Sequence, residues 1–430
     1  MDHAPKLVVF LLLLGHVSTL HDKDDYDHCK TTVKKWTASS LDFEVRVDRH
    51  ILKDLLFFLH IPRTGGRTYF QCFLRKLYAS SMECPRSYDK LRFDPGKPNC
   101  TLLVTHDDYS MMSKLPKQKT SVMTILRNPI DRVFSTYEFS IEVAARFLVH
   151  PNITSATEMA GRLRSKTKAI STLDIWPWKY LVPWMRGDLF ARERCQKAQG
   201  ETHIGSNDSY DMEDMAMPLR EYINDPIAQD IVHNGATFQI AGLTNNSYLA
   251  GSHEVRHCVL KHRDLGQYVL EVAKKRLDEM LYVGLTEDHK ESATMFANVV
   301  GAQVISQSVA SGYRINPSGG DKPEESSSDP DSQSDTDDQQ STSTSPKSKI
   351  SSSKKIEATS EKMTVGKLMK AYETCTSSLR KTQAQRRTTS LKRISPANFT
   401  KKARRQSHES LLKEIRLLNN LDIQLYEYAQ

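Results

Sequence analysis

The 430-residue chain contains no run of about 20 apolar residues, the length a helix needs to cross a bilayer. It has no Cys-x-x-Cys pair and no histidine cluster, which argues against a zinc site. No internal repeat is present. The nucleoside-triphosphate loop G-x-x-x-x-G-K-[ST] is missing too. Gly66-Arg67-Thr68 imitates only its end, and no glycine lies five residues before Gly66. Arginine in place of the loop lysine argues against triphosphate hydrolysis, because that lysine works as a point charge on the β/γ-phosphates. No later aspartate convincingly completes a magnesium site. Cysteine is scarce: Cys29, Cys72, Cys84, Cys100, Cys195, Cys258 and Cys375. An odd number in an oxidising compartment leaves at least one thiol free or paired between chains. Cys84 and Cys100 flank a loop rich in Pro, Asp and Lys and are the expected local disulfide. Cys72, within a helical pattern, is expected as a buried core thiol.

What is present begins with Lys6, an apolar run Leu7–Leu14, and small or polar residues to about Leu20. This fits a cleaved secretory signal peptide over residues 1–20, followed by an N-terminal segment over 21–50. Five Asn-x-Ser/Thr sequons, at Asn99, Asn152, Asn207, Asn245 and Asn398, suit that compartment. The formal net charge is +8, unevenly spread. Residues 361–430 hold 15 Lys/Arg against 6 Asp/Glu, a local +9, and residues 315–360 hold 5 against 9, a local −4. A polybasic tail suits an anionic membrane or a solvated helical surface; nucleic acid is a poor partner for a secretory protein.

Residues 51–314 alternate apolar runs with helical patterns. Strands are expected at Leu55–His60, Thr101–Thr105, Ser121–Leu126, Phe238–Ala241 and Leu281–Val283, and helices at Tyr69–Tyr78, Pro129–Leu148, Leu260–Met280 and Glu287–Val304. That order predicts an α/β domain with a central parallel sheet flanked by helices. Residues 315–360, Ser- and Asp-rich and nearly without aliphatics, form a linker expected to be disordered. The basic region 361–430 carries two helical stripes. One is Val365, Leu368, Met369, Tyr372, Cys375 and Leu379; the other is Leu411, Leu412, Ile415, Leu418, Leu421 and Leu425. Such stripes pack back on the core, form a stalk, or pair with another chain.

Two constellations carry chemistry. In the first, an apolar strand runs through His60 into Ile61-Pro62-Arg63-Thr64-Gly65-Gly66-Arg67-Thr68 and then a helix. A glycine turn at a helix N-terminus gathers backbone N–H groups and the helix dipole into an anion cradle. Arg63, Arg67 and Thr68 add donors suited to phosphate, with His60 beside them as a base or as a core histidine. In the second, a strand ends at Leu126, Arg127 stands at its tip, and Pro129 opens a helix that carries Ser135. Arg127 and Ser135 then face a second anion, or Arg127 pairs with Asp131 or Glu138.

The segment Leu59–Gly66 resembles the 5′-phosphosulfate loop of Golgi sulfotransferases, especially the heparan-sulfate 6-O type, and Arg127 with Ser135 matches that family's 3′-phosphate motif. The closer resemblance is to plant-type tyrosylprotein sulfotransferases. It shows in Cys84–Leu91, Ser140–Pro151, Ser171–Met185, His233–Ser247, Leu281–Glu287, Ser390–Thr400 and Leu417–Asp422. It thus covers nearly the whole chain apart from the linker. The resemblance departs at Asn128, where aspartate is usual, and at Cys195, an extra cysteine.

The resemblance implies a P-loop-like sulfotransferase fold and transfer of a sulfuryl group from 3′-phosphoadenosine 5′-phosphosulfate (PAPS) to tyrosines of secreted peptides, including plant peptide hormones, in the Golgi lumen. Acceptors with tyrosine near acidic residues are implied, and no metal is required. His60 is implied as proton acceptor, Arg63 as stabiliser of the leaving 5′-phosphate, and Thr64, Gly65, Gly66, Arg67, Thr68, Arg127 and Ser135 as donor contacts. His106 is implied near the acceptor; on the residues alone it equally reads as a surface histidine held by Asp107 or Asp108. Trp176, Trp178 and Trp184 read as acceptor channel or as core. Gln239 and Asn245 lie in a stretch resembling the family's nucleotide-contacting loop. Family members continue to a C-terminal membrane anchor, so the chain as written is expected to be unanchored. The alternatives are a glycan O-sulfotransferase and a sulfotransferase-like binding protein without catalysis.

Overall fold

A computed structural model describes residues 4–42, 50–84, 100–147, 218–310, 362–391 and 408–430. A long helix, α1 (Ala4–Leu41), precedes the first strand. Strand β1 (Leu55–Leu59) leads through the glycine loop into α2 (Gly66–Tyr69), which continues as a widened π turn, Phe70–Leu74, to Arg75–Leu77. Then follow β2 (Leu102–Thr105), β3 (Thr120–Leu126) and α3 (Pro129–Phe147). Further along lie α4 (Gly235–Ile240), α5 (Ser252–Lys261), α6 (Gly266–Asp278), β4 (Tyr282–Leu285) and α7 (His289–Phe296). The C-terminal region supplies α8 (Val365–Leu391), α9 (Glu409–Leu418) and α10 (Asn420–Ala429).

The four strands are all parallel, in the order β2-β1-β3-β4. β1 is buried along its whole length, which explains its unbroken apolar run. Successive side chains leave a strand on opposite faces, and the two cores obey that rule. Leu55, Phe57 and Leu59 enter one cluster with Leu103, Val122 and residues of α6. Leu56 and Phe58 enter the other with Val104, Met123, Phe73, Phe296 and Tyr372. The chain moves from β1 outward to β2, then returns past β1 to β3. The crevice beyond the carboxyl ends of β1 and β3 is therefore the switch point of the sheet, where ligands of open α/β folds bind.

The expected strand at Phe238–Ala241 is instead helix α4, and the expected helix Leu260–Met280 is observed as α6, entered through a tight turn, Arg263–Leu265, after α5 ends at Lys261. Both tail stripes pack back on the core: Leu368 and Tyr372 join the second cluster, Leu421 and Leu425 the first, and Ile415 a third around α3.

Cys84 and Cys100 are bonded as expected. Cys72 is not a free core thiol but pairs with Cys375, 303 residues away, tying the π turn to α8. Cys29 pairs with Cys258, tying α1 to α5. Cys195, the three tryptophans, the linker, and Asn99, Asn152, Asn207 and Asn398 lie outside the described residues; Asn245 is exposed. Among the described residues no helix is long and apolar enough to cross a membrane.

Candidate active site

Every strand points its carboxyl end at one crevice. His60 follows β1, His106 follows β2, Arg127 follows β3 and Thr286 follows β4. The loop after β1 is held from both sides. The Thr64 hydroxyl donates to the Ile61 carbonyl at 2.9 Å. Thr286 donates its hydroxyl to the carbonyls of Thr64 (2.7 Å) and Leu126 (2.9 Å), clamping the loop to the tip of β3. Arg63 has φ of 67° and Gly65 of 82°. A non-glycine residue in that region is uncommon and concentrates at functional sites. Gly66 is required for a different reason: a Cβ there would collide with the His60 imidazole and the Phe58 ring. Only glycine lets that imidazole lie against the start of α2, whose first N–H groups have no partner within the helix.

The two arginines meet. Arg63 donates from Nε and Nη2 to the Ser135 hydroxyl, each at 3.2 Å, and its guanidinium lies 4.4 Å over the Phe139 ring. Arg127 donates from Nη1 to the Arg63 carbonyl at 3.1 Å and lies 4.0 Å from Glu287. The sequence pattern's two constellations thus form one basic wall, joined by Arg63, which holds Ser135 with its guanidinium and Arg127 with its carbonyl. Asn128 caps α3, accepting from the N–H groups of Ile130 (3.1 Å) and Asp131 (3.3 Å). A neutral amide does there what a carboxylate would do, so the departure from aspartate leaves the capping intact.

His60 stacks on His106 with ring centroids 4.3 Å apart. His106 is buried, and its Nδ1 lies 2.7 Å from the His60 carbonyl. Donation to that carbonyl would fix Nδ1 as the protonated nitrogen. The reading of His106 as a surface histidine held by a neighbouring aspartate is therefore overturned. Asp107 instead accepts from the hydroxyl of Thr105 and the amide of Asn246. Asp108 accepts from the N–H and hydroxyl groups of Ser110 and Thr244.

Sequence reasoning missed the buttress behind the two histidines. Gln239, buried on α4, donates its amide to the carbonyls of His106 (2.8 Å) and His60 (3.2 Å). It ties the tips of β1 and β2 together, a structural task in a stretch that resembles the family's nucleotide-contacting loop. α4 is held in turn by the tail. Asp422, buried on α10, accepts from the N–H of Ala236 (3.2 Å) and from the N–H (2.8 Å) and hydroxyl (2.7 Å) of Thr237. Reciprocally, Asn234 accepts from the N–H groups of Leu421 (2.9 Å) and Asp422 (3.2 Å). Each helix supplies the cap of the other. Arg132, almost fully buried, completes the network with Nη2 on Asp422 at 2.8 Å and Nη1 on the Ile231 carbonyl at 2.9 Å. A lone carboxylate within the apolar stripe Leu421-Asp422-Ile423 is the signal that such a partner exists.

Asp25, Cys29 and His262 come within ligand distance of one another, but the Cys29 sulfur is committed to its disulfide. The remaining pair is an ion cluster with Lys261 rather than a thiolate site.

No family model matches the chain. Against curated proteins it is 57% identical over 432 residues to a protein-tyrosine sulfotransferase of Arabidopsis thaliana, covering 100% of this chain and 85% of that relative. The chain belongs to the protein-tyrosine sulfotransferase family. A sulfotransferase moves a sulfuryl group from a donor to an acceptor. The basic wall of Arg63, Arg127 and Ser135 lies toward β3, and the histidine pair lies toward β2.

Proposed function

We propose that this protein transfers the sulfuryl group of PAPS to tyrosine hydroxyls of secreted peptides and proteins. The supporting observation is the placement of His60 against the first turn of α2 and on the ring of His106. The residues present fit a donor with two phosphate groups. Loop residues Thr64 to Thr68 and Arg63 would hold the 5′-phosphosulfate, and Arg127 with Ser135 the 3′-phosphate. When bound, the donor supplies an activated sulfuryl group whose S–O bond to the 5′-phosphate breaks as the tyrosine oxygen forms its own bond to sulfur.

The protein's residues do the rest. A tyrosine hydroxyl titrates near pH 10, so His60 takes its proton as the new bond forms. Arg63 and the N–H groups at the start of α2 stabilise the charge growing on the departing phosphate. His106 holds the His60 backbone and lines the acceptor side of the pair. Acidic residues flanking the acceptor tyrosine suit the same basic surroundings. The chemistry assigned to these residues calls for no metal. Three disulfides, the apolar leader and the sequons favour an oxidising compartment, the Golgi lumen.

The test is incubation of the chain with sulfur-labelled PAPS and either an Asp-Tyr-containing peptide or heparan. Label in the peptide alone is expected. Label in heparan alone would make the protein a glycan sulfotransferase, and label in neither would make it a binding protein.

A further inference from the structure

A cleft of about 170 Å³ opens beside the glycine loop, with neither histidine of the pair in its lining. Thr64, Gly65, Thr68 and Ile125 line it, together with His289 and Arg380. Arg380 is the element that does not belong to the sheet domain. It sits on α8, some 300 residues beyond the loop it faces. It reaches the cleft because α8 is pinned there three times. Cys375 is bonded to Cys72, the Tyr372 ring stacks on Phe73 at 3.9 Å, and the Tyr372 hydroxyl lies 2.9 Å from His289 Nε2.

On the reading that the loop binds a nucleotide donor, the phosphates already have partners in Arg63, Arg127 and Ser135. The cleft shares Thr64, Gly65 and Thr68 with the phosphosulfate loop and continues from it past Tyr69, Ile125 and Thr286 to two planar nitrogen groups, His289 and Arg380. A flat heteroaromatic ring fits such a slot, because a guanidinium stacks on aromatic faces and an imidazole hydrogen-bonds ring edges. We propose that Arg380 and His289 form a clamp for the purine base of the donor nucleotide, so that the C-terminal helix completes the donor site. Burial, and then the Arg380 charge, lower the His289 pKa from its ordinary 6.5. The imidazole is therefore neutral near pH 7 and, with Nε2 held by the Tyr372 hydroxyl, keeps Nδ1 for a base edge.

Titration calorimetry on the full chain tests this with two probes, 3′-phosphoadenosine 5′-phosphate and the base-free ribose 3,5-bisphosphate. Arg380→Ala is expected to weaken the adenosine compound about tenfold, the scale of a stacked cation, and to leave the base-free probe unchanged. Arg380→Lys keeps the charge without the plane and is expected to recover little. Unchanged affinity for the adenosine compound in Arg380→Ala would overturn the clamp, as would an equal loss for both probes. Wild-type protein that binds neither probe would overturn the donor site itself. Arg380 lies exposed on α8, so its replacement leaves the fold intact.

Discussion

The two walls of the crevice are built in different ways. The basic wall is local: Arg63, Arg127 and Ser135 sit within a few residues of strands β1 and β3, in motifs that any window of the sequence displays. The histidine wall is long-range. His60 and His106 are fixed by Gln239, Gln239 by α4, and α4 by Asp422 near the end of the chain. The tail touches the basic wall only from behind, through Asp422 on Arg132, Ile415 against α3 and Tyr426 on Glu287, whereas the histidine wall hangs on it through Gln239 and α4. Chemistry and stability should separate along that line when residues are removed.

The largest effect on turnover belongs to His60→Ala. A positioned base contributes about 10²- to 10⁴-fold, so transfer to a tyrosine peptide is expected to fall by that factor. Binding of 3′-phosphoadenosine 5′-phosphate should stay within a few-fold, since the basic wall is untouched. Wild-type turnover in this variant would remove His60 from the mechanism.

Asp422→Ala should do the reverse and act first on the fold. It strands the Arg132 guanidinium in the interior and leaves the N-termini of α4 uncapped. Removing one partner of a buried pair costs about 3–5 kcal/mol, read as a lowered unfolding midpoint. Asp422→Asn keeps the shape and part of the capping, and its loss should be smaller. If Asp422→Ala unfolds no more easily than wild type, the histidine wall does not depend on the tail.

Legibility follows the same division. β1 was readable because a strand buried on both faces is one apolar run, and Arg127 with Ser135 because strand tip and helix are contiguous. Cys84–Cys100 was readable because only 16 residues separate the pair. α4 was misread as a strand for a physical reason. Its run is too short for periodicity to decide, and its cap comes from Asp422, 185 residues beyond Thr237. Asn234, at the expected cap position, has φ of 49° and turns its own side chain to α10 instead. Cys72 looked like a core thiol because its partner lies 303 residues on. The buttressing by Gln239 was hidden because nothing near it in sequence reveals that its amide serves the carbonyls of His60, His106 and Asp107.

Cys375→Ser probes the tail at its other anchor. Losing a native disulfide typically costs about 2–5 kcal/mol, a cost reduced here because the stack of Tyr372 on Phe73 remains. The unfolding midpoint should fall less than in Asp422→Ala. Turnover at saturating donor should hold, because neither wall of the crevice touches Cys375. A loss of turnover as deep as that of His60→Ala would mean that α8 also supports the histidines.

The smallest effect is expected at the N-terminal helix, which touches neither wall. Asp25 on α1 is held down to about 2 by hydrogen bonds from Lys261 and His262, below its usual 3.8. A carboxylate with a depressed folded pKa stabilises the fold above its unfolded value and loses that contribution as pH falls through the folded one. The Asp25 contribution is thus complete above about pH 4 and gone near pH 2. Asp25→Asn should lower the unfolding midpoint slightly at pH 7 and not at all at pH 2. Because Cys29–Cys258 still ties α1 to α5, turnover should be unchanged. A drop in turnover would show that α1 reaches the crevice through α5 and α6, making the histidine wall dependent on both ends of the chain rather than on the tail alone.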